Sequence, residues 1–155
     1  IKLNNLICVA PDVGGVERTR ALSRRLNTGI AIIDKRRPAP GKSEVMNIVG
    51  DVKNKNCVIV DDIIDSGGTI VNAVKALKDK GAKNVYVYIT HAVLSGEAVE
   101  KIEKSQISKL ITTDTIDNSK KLKKSKKIEI ISLAPMISEA IKRIANSTSV
   151  SSLFK

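Results

Sequence analysis

An α/β fold with a mostly parallel sheet flanked by helices is the architecture this sequence predicts, and three observations predict it. Short apolar runs alternate with helical stretches along the chain. The runs are near-continuously apolar, the pattern of parallel strands covered on both faces. Three of them end in residues suited to binding, "APDVGG", "DKRRP" and "DDIIDSGGT". Ligands of such sheets sit beyond the carboxyl ends of the strands.

The elements follow in order. "LICVA" (6–10) reads as a strand, and "GVERTRALSRRL" (15–26) as a helix with Val16, Ala21, Leu22 and Leu26 on one stripe. "IAIID" (30–34) is the next strand. Two prolines, a glycine and four basic residues make 35–44 a loop. "VMNIVG" (45–50) reads as a short edge strand and "CVIVD" (57–61) as a buried one. "TIVNAVKALKDKG" (69–81) is a helix ended by Gly81. "NVYVYIT" (84–90) is a strand, and Gly96 is expected to start the helix over 96–105. Strands over 107–114 and 128–134 precede a helix over 135–146 with Pro135 in its first turn. No repeat or internal linker interrupts the chain, so one domain over 1–155 suffices.

Composition bounds the rest. With 42% apolar, 28% charged and 2% aromatic residues, the core must be aliphatic. No stretch approaches the roughly 18 apolar residues of a membrane span. "IKLNNLICVA" lacks the apolar region and cleavage site of a signal peptide, so a cytoplasmic location is expected. The first residue is not Met, as expected of a processed piece or part of something longer. Cys8 and Cys57 each sit in an apolar strand and read as buried thiols; a disulfide would need those strands adjacent and in register. Two cysteines and one histidine make no zinc site of the usual spacing. The net charge of +11 suits anionic partners. Much of it lies in "SKKLKKSKK" (119–127), which reads as a solvated, mobile loop. Nucleic acid is disfavoured as a partner because stacking aromatics are nearly absent.

The stretch "VIVDDIIDSGGTI" (58–70) carries the chemistry. Asp65, Ser66, Gly67, Gly68 and Thr69 would lie at a helix start, where backbone N–H groups are unpaired and the dipole is positive. The glycines let the backbone approach a ligand, and the hydroxyls add donors. The Gly-Lys-Ser/Thr ending of a Walker A loop is missing. Asp61 and Asp62 suit sugar hydroxyls or a metal-bound water shell. Acid beside an anion cradle makes sense for a sugar phosphate. An Asp-rich cap and turn is the plainer alternative.

"VIVDDIIDSGGT" resembles the phosphoribosyl diphosphate loop of type I phosphoribosyltransferases and their relatives. "PDVGG" (11–15), "IDKRRP" (33–38), "SEVMNIVGDV" (43–52), "THAVLSG" (90–96) and "SVSSLF" (149–154) narrow the resemblance to ribose-phosphate diphosphokinases. It runs from about Val9 to the end and covers the C-terminal half of such an enzyme. The similar N-terminal lobe of the family would be the missing partner.

The resemblance implies the following roles. Asp65, Ser66, Gly67, Gly68 and Thr69 would hold the 5-phosphate of ribose 5-phosphate, and Asp61 and Asp62 its 2- and 3-hydroxyls. Asp12 would help hold a Mg²⁺ bridging ATP phosphates, with Gly14 and Gly15 opening the diphosphate loop. A plain turn before the next helix is the alternative for "PDVGG". "KRRP" is similar to the family's mobile catalytic loop, with Lys35 and Arg37 reaching over the ATP phosphates. The family often has a basic residue where this chain has Ala39, with Lys42 nearby. Apart from the resemblance, His91 is the only histidine and sits at a strand end, which favours a structural or pocket-wall role over a catalytic one. Ser149 and Ser151 match positions near the family's allosteric site.

The implied activity is diphosphoryl transfer from ATP to the 1-hydroxyl of ribose 5-phosphate, giving phosphoribosyl diphosphate and AMP for nucleotide biosynthesis. Hexamers built from dimers are the family's assembly. The alternatives are a nucleobase phosphoribosyltransferase and a non-catalytic regulatory homologue. Against the first stands the absence of a recognisable base-binding hood. Against the second stand Asp12, Lys35, Arg37, Asp61 and Asp62, all present.

Overall fold

The computed structural model describes residues 4–36 and 45–154. Seven strands form one sheet in the order β3-β2-β1-β4-β5-β6-β7. The strands are β1 (Leu6–Ala10), β2 (Gly29–Arg36), β3 (Val45–Val49), β4 (Asn56–Ile64), β5 (Asn84–Ala92), β6 (Lys109–Thr113) and β7 (Ile128–Ile131). Every pairing is parallel except β2 with β3 at the edge. The helices are α1 (Val16–Leu26), α2 (Gly68–Asp79), α3 (Ala98–Lys104), α4 (Ser119–Leu122) and α5 (Ala134–Ala145), and Ser151–Phe154 closes the tail as a 3₁₀ turn.

The core is aliphatic, as composition requires. Ile59, Val74, Leu77, Val85, Val87, Ile102 and Leu110 are each fully enclosed where α2 and α3 meet one face of the sheet. α1 packs on the opposite face over β1, β2 and the adjoining side of β4. Among the described residues no helix is long and apolar enough to cross a membrane.

Several boundaries differ from the sequence reading, each for a physical reason. β4 does not stop at Asp61; it runs to Ile64, because β5 continues beside it to the pair Ile64↔Ala92. β2 likewise extends through Lys35 and Arg36, which pair with Met46 and Val45 of β3, so these residues belong to a ribbon and not to a loop. Arg37, Ala39 and Lys42 lie outside the described residues. Gly96 does not start the helix; it turns two residues ahead of Ala98, in the left-handed region. Gly81 ends α2 as expected, its N–H donating to Lys78 O (2.9 Å).

The lysine run is no free loop. Residues 119–122 form a helical turn anchored by buried Leu122. Beyond it, Glu103 Oε1 accepts the Ser125 hydroxyl (2.5 Å) and the Lys126 and Lys127 N–H groups (3.1 Å each). Lys121 Nζ donates to Leu94 O (2.7 Å). Lys127 Nζ likewise donates to Ser105 O (2.5 Å), so one leucine, one carboxylate and two of the ammonium groups fix the segment.

Cys8 and Cys57 are buried free thiols on adjacent strands. Their strands are offset by one residue: Ile7 pairs with Cys57, and Cys8 with Val58. A one-residue offset puts the two side chains on opposite sheet faces. Burial pushes the Cys57 thiol up to about 11, which keeps it protonated and unreactive.

Candidate active site

The predicted ligand residues converge at the carboxyl edge of β1, β2 and β4. β1 ends at Ala10, which pairs with Ile32. Pro11 to Gly15 then turn the chain into α1. Asp12 makes this turn: its Oδ1 accepts the Gly15 N–H (2.9 Å). A Cβ on Gly15 would sit 3.1 Å from Pro11 Cδ, closer than ordinary packing. Asp12 is therefore both the capping side chain of the plain-turn reading and a half-exposed carboxylate. Its Oδ2 lies 4.0 Å from Lys35 Nζ, which reaches across from the ribbon. The structure thus joins "PDVGG" to the first residue of "KRRP".

Asp61 and Asp62 are held from two sides. The Asp62 N–H donates to Asp61 Oδ1 and the Ile63 N–H to Asp62 Oδ1, each at 3.0 Å. Arg18 on α1 places Nη1 3.3 Å from both Oδ1 atoms. These contacts fall on the Oδ1 atoms and anchor both carboxylates side by side. Burial is the largest influence on Asp61 and raises its pKa, against the pull of Arg18. Asp62 is exposed, and its hydrogen bonding with Asp61 holds its carboxyl below the usual range. The pair therefore titrates as a unit, with the proton favouring Asp61.

The phosphate-type loop follows directly. Asp65 and Ser66 are exposed, Gly67 sits ahead of α2, and Gly68 and Thr69 are its first residues. Gly67 has φ +77°, a left-handed conformation that other residues rarely adopt. Among the described residues no side chain caps α2, so its first N–H groups have no side-chain partner there. The loop is braced from behind: the Ser95 N–H donates to Asp65 O (3.2 Å) and the Val93 N–H to Ile64 O (2.9 Å).

Beside Asp61 opens a cavity of about 210 Å³, lined also by Tyr88, Thr90, Thr112 and Ile131. Thr112 Oγ1 is buried without a partner among the described residues. His91 lies on β5 with Nδ1 3.0 Å from Thr115 Oγ1. Ser149 and Ser151 are bonded to each other (2.9 Å) in the tail, which Arg143 ties to α5 through Ser149 O (3.0 Å).

Among the described residues no three His, Cys, Asp or Glu side chains gather to hold a metal. A cage made by protein alone is therefore ruled out for these residues. Mg²⁺ does not need one, because it keeps water and substrate phosphates as ligands and takes one or two carboxylates. The single half-exposed Asp12 carboxylate fits that role.

Arg18 is the residue that sequence reasoning missed. It stands among four arginines in "ERTRALSRR", and nothing in its spacing separates it from Arg20, Arg24 and Arg25.

Residues 37–155 match the family model of the phosphoribosyl synthetase-associated domain. The ribose-phosphate pyrophosphokinase of Agrobacterium fabrum is 52% identical over 97% of this chain, which covers 49% of that protein. The one from Hyphomonas neptunium is 56% identical over 96% of this chain and 48% of its own length. The chain spans about half the length of these curated relatives. A crystal structure of phosphoribosylpyrophosphate synthetase from Mycobacterium smegmatis superposes with a TM-score of 0.83 at 33% identity, covering 92% of this chain and 46% of that one. Orotate phosphoribosyltransferase from Aeropyrum pernix shares the fold at a TM-score of 0.57 and 22% identity. With a phosphoribosyltransferase-type sheet, an acid pair beside an open phosphate-type loop, and a family match over most of its length, the chain belongs to the phosphoribosyl synthetase family.

Proposed function

We propose that this chain is the C-terminal lobe of a ribose-phosphate pyrophosphokinase, which transfers the diphosphoryl group of ATP to the 1-hydroxyl of ribose 5-phosphate. The observation that carries the reading is the pair of adjacent Asp61 and Asp62 carboxylates, held by Arg18, beside the start of α2, which no described side chain caps. Neighbouring sugar hydroxyls donate to two such acceptors. The 5-phosphate accepts N–H groups from the loop of Asp65, Ser66, Gly67, Gly68 and Thr69, with the helix dipole adding to the attraction.

With the sugar held at both ends, its 1-hydroxyl is directed toward the Asp12–Lys35 side. Attack on the β-phosphorus forms the new O–P bond and releases AMP. Negative charge spreads over the phosphoryl oxygens, so the chain's contribution is positioning and cationic stabilisation. Lys35, and Arg37 two residues further along the chain, supply the cations. Asp12 with Gly14 and Gly15 shapes the diphosphate loop. Asp12 would give one ligand to Mg²⁺, which when bound neutralises phosphate charge.

The test is AMP release from Mg-ATP by this chain joined to the missing half, with and without ribose 5-phosphate. AMP that requires both the sugar phosphate and Mg²⁺ is the expected result. The isolated chain is expected to bind ribose 5-phosphate and turn over poorly. Asp61→Asn with Asp62→Asn should weaken sugar binding in calorimetry, because charge-assisted hydrogen bonds become neutral ones. Unchanged affinity would refute the ribose assignment.

A further inference from the structure

Six of the chain's 27 lysines and arginines fall within residues 119–127, and the candidate active site uses none of them. Two bind the segment to its own fold: Lys121 Nζ donates to Leu94 O (2.7 Å) and Lys127 Nζ to Ser105 O (2.5 Å). The other four, Lys120, Lys123, Lys124 and Lys126, are exposed. Among the described residues none of their ammonium groups is hydrogen-bonded or ion-paired. The acids near them in the chain are engaged elsewhere. Glu103 Oε1 takes the Ser125 hydroxyl and the Lys126 and Lys127 N–H groups. Glu100 pairs with Lys104 (3.6 Å) and Glu129 with Lys109 (2.8 Å), and Asp117 Oδ1 accepts the Ser119 N–H (2.9 Å).

A free loop would let the four cations spread apart. Here they are gathered. Lys120 stands three and four residues before Lys123 and Lys124 on a helical turn, spacings at which like charges repel. Buried Leu122 holds the turn from beneath, and Glu103 holds the backbone just beyond it. Like charges fixed together without a counter-charge set up a local positive field that draws an anion from outside the chain. The place is distinct from the candidate active site. Lys127 O accepts the Leu110 N–H (2.8 Å) and Ile128 opens β7, so the run ends at the amino edge of the sheet. Asp61 and Asp62 lie toward the carboxyl edge of β4.

We propose that residues 120–126 form a docking platform for a nucleic-acid duplex, gripped through its phosphates without reading its bases. Residue type decides among the polyanions. Lysine is depleted in protein–protein interfaces, and the run offers no exposed apolar anchor, because Leu122 is buried. The same lack argues against a membrane surface, into which an apolar face is laid. Phosphate backbones need neither: lysine meets them as a point charge. The scarcity of aromatics that disfavours single strands does not weigh against a duplex, whose bases are already stacked on one another. α4 has four residues, too few to read a groove, so the binding is independent of sequence.

The test is fluorescence anisotropy with a short labelled DNA duplex, on the chain alone and on the chain joined to the missing half. Four phosphate contacts predict a slope of log affinity against log salt of about −3.6, so affinity should fall roughly a hundredfold between about 50 and about 200 mM salt. Lys123→Gln with Lys124→Gln removes two contacts and should halve that slope, with ribose 5-phosphate binding unchanged. Glu103→Gln separates a fixed platform from charge alone. It makes the chain more positive, yet should weaken duplex binding severalfold because the turn loosens. Equal or tighter binding by Glu103→Gln would overturn the platform. So would no binding at low salt, or a slope that the double variant leaves unmoved. Binding by the chain alone that vanishes in the joined protein would mean that the other half covers this face, and would overturn it too. Tighter binding to polyglutamate or to phosphatidylserine vesicles than to the duplex would overturn it in favour of an acidic protein or a membrane. Loss of AMP formation with duplex binding intact would count against the enzymatic reading and leave the platform standing.

Discussion

Replacing Arg18 by Ala should loosen ribose 5-phosphate binding about tenfold without unfolding the chain. Arg18 Nη1 is 3.3 Å from each Oδ1, and the Asp61 side chain is 19% exposed against 61% for Asp62. The leg to Asp62 is a surface pair, worth on the order of 0.2–1 kcal/mol. The leg to Asp61 is more shielded, with a raw attraction of about 5 kcal/mol at an effective dielectric near 20, most of it offset by desolvation. Together they contribute about 1.5 kcal/mol to holding two adjacent carboxylates charged and oriented, or roughly tenfold in dissociation constant. Calorimetric titration of ribose 5-phosphate into wild type, Arg18→Ala and Arg18→Lys measures it, with the lysine variant expected in between. The deficit should widen as pH falls, because burial already raises the Asp61 pKa and Arg18 opposes that rise. Equal or tighter binding by Arg18→Ala would refute the reasoning: the guanidinium would then be blocking the carboxylates, not presenting them.

Three further outcomes follow from the same structure. Gly67→Ala should cost about 1–2 kcal/mol, since its φ of +77° is a left-handed conformation while the nearest atom to a new Cβ is 3.7 Å away; thermal unfolding reads this as a melting point lower by several degrees. Glu103→Gln should speed hydrogen exchange over 125–128 and remove about 1–2 kcal/mol of stability at neutral pH. Burial opposes ionisation of Glu103, but the Ser125 hydroxyl and two N–H groups prevail and lower its pKa below the ordinary 4.5; its contribution is complete above that value and lost as pH falls through the lowered pKa, so acid unfolding curves of wild type and variant should converge. Finally, Cys57 in the native chain should resist a thiol-specific reagent at mildly alkaline pH and react fully in denaturant, and mild oxidation should give no internal Cys8–Cys57 crosslink in mass spectrometry. Rapid native labelling of Cys57 would contradict its burial.

What was legible in the sequence is what short-range pattern records. Apolar runs gave β1, β4 and β5, Gly81 the end of α2, and the cluster from Asp61 to Thr69 the candidate site. What was not legible depends on neighbours distant in the chain. Asp61 and Asp62 are poor strand formers, but β5 runs alongside and carries them in the ladder. Lys35 and Arg36 look like loop because prolines and basic residues follow, and only pairing with β3 makes them strand. Arg18 is one arginine of several until α1 is laid over β1 and beside β4. Glu103 gives no sign in α3 that it fastens a lysine-rich segment more than twenty residues away.

The β2–β3 ribbon has an evolutionary corollary. Past Ile32, β2 has lost β1 as a neighbour and is indexed only by β3, through the pairs Ile33↔Ile48 to Arg36↔Val45. Lys35 is therefore addressed by a ladder that closes before residue 37. Changes of length or composition between 37 and 44 can accumulate without re-registering Lys35 against Asp12. Selection can thus tune that stretch as an independent module, while one strand pair keeps its first cation in place.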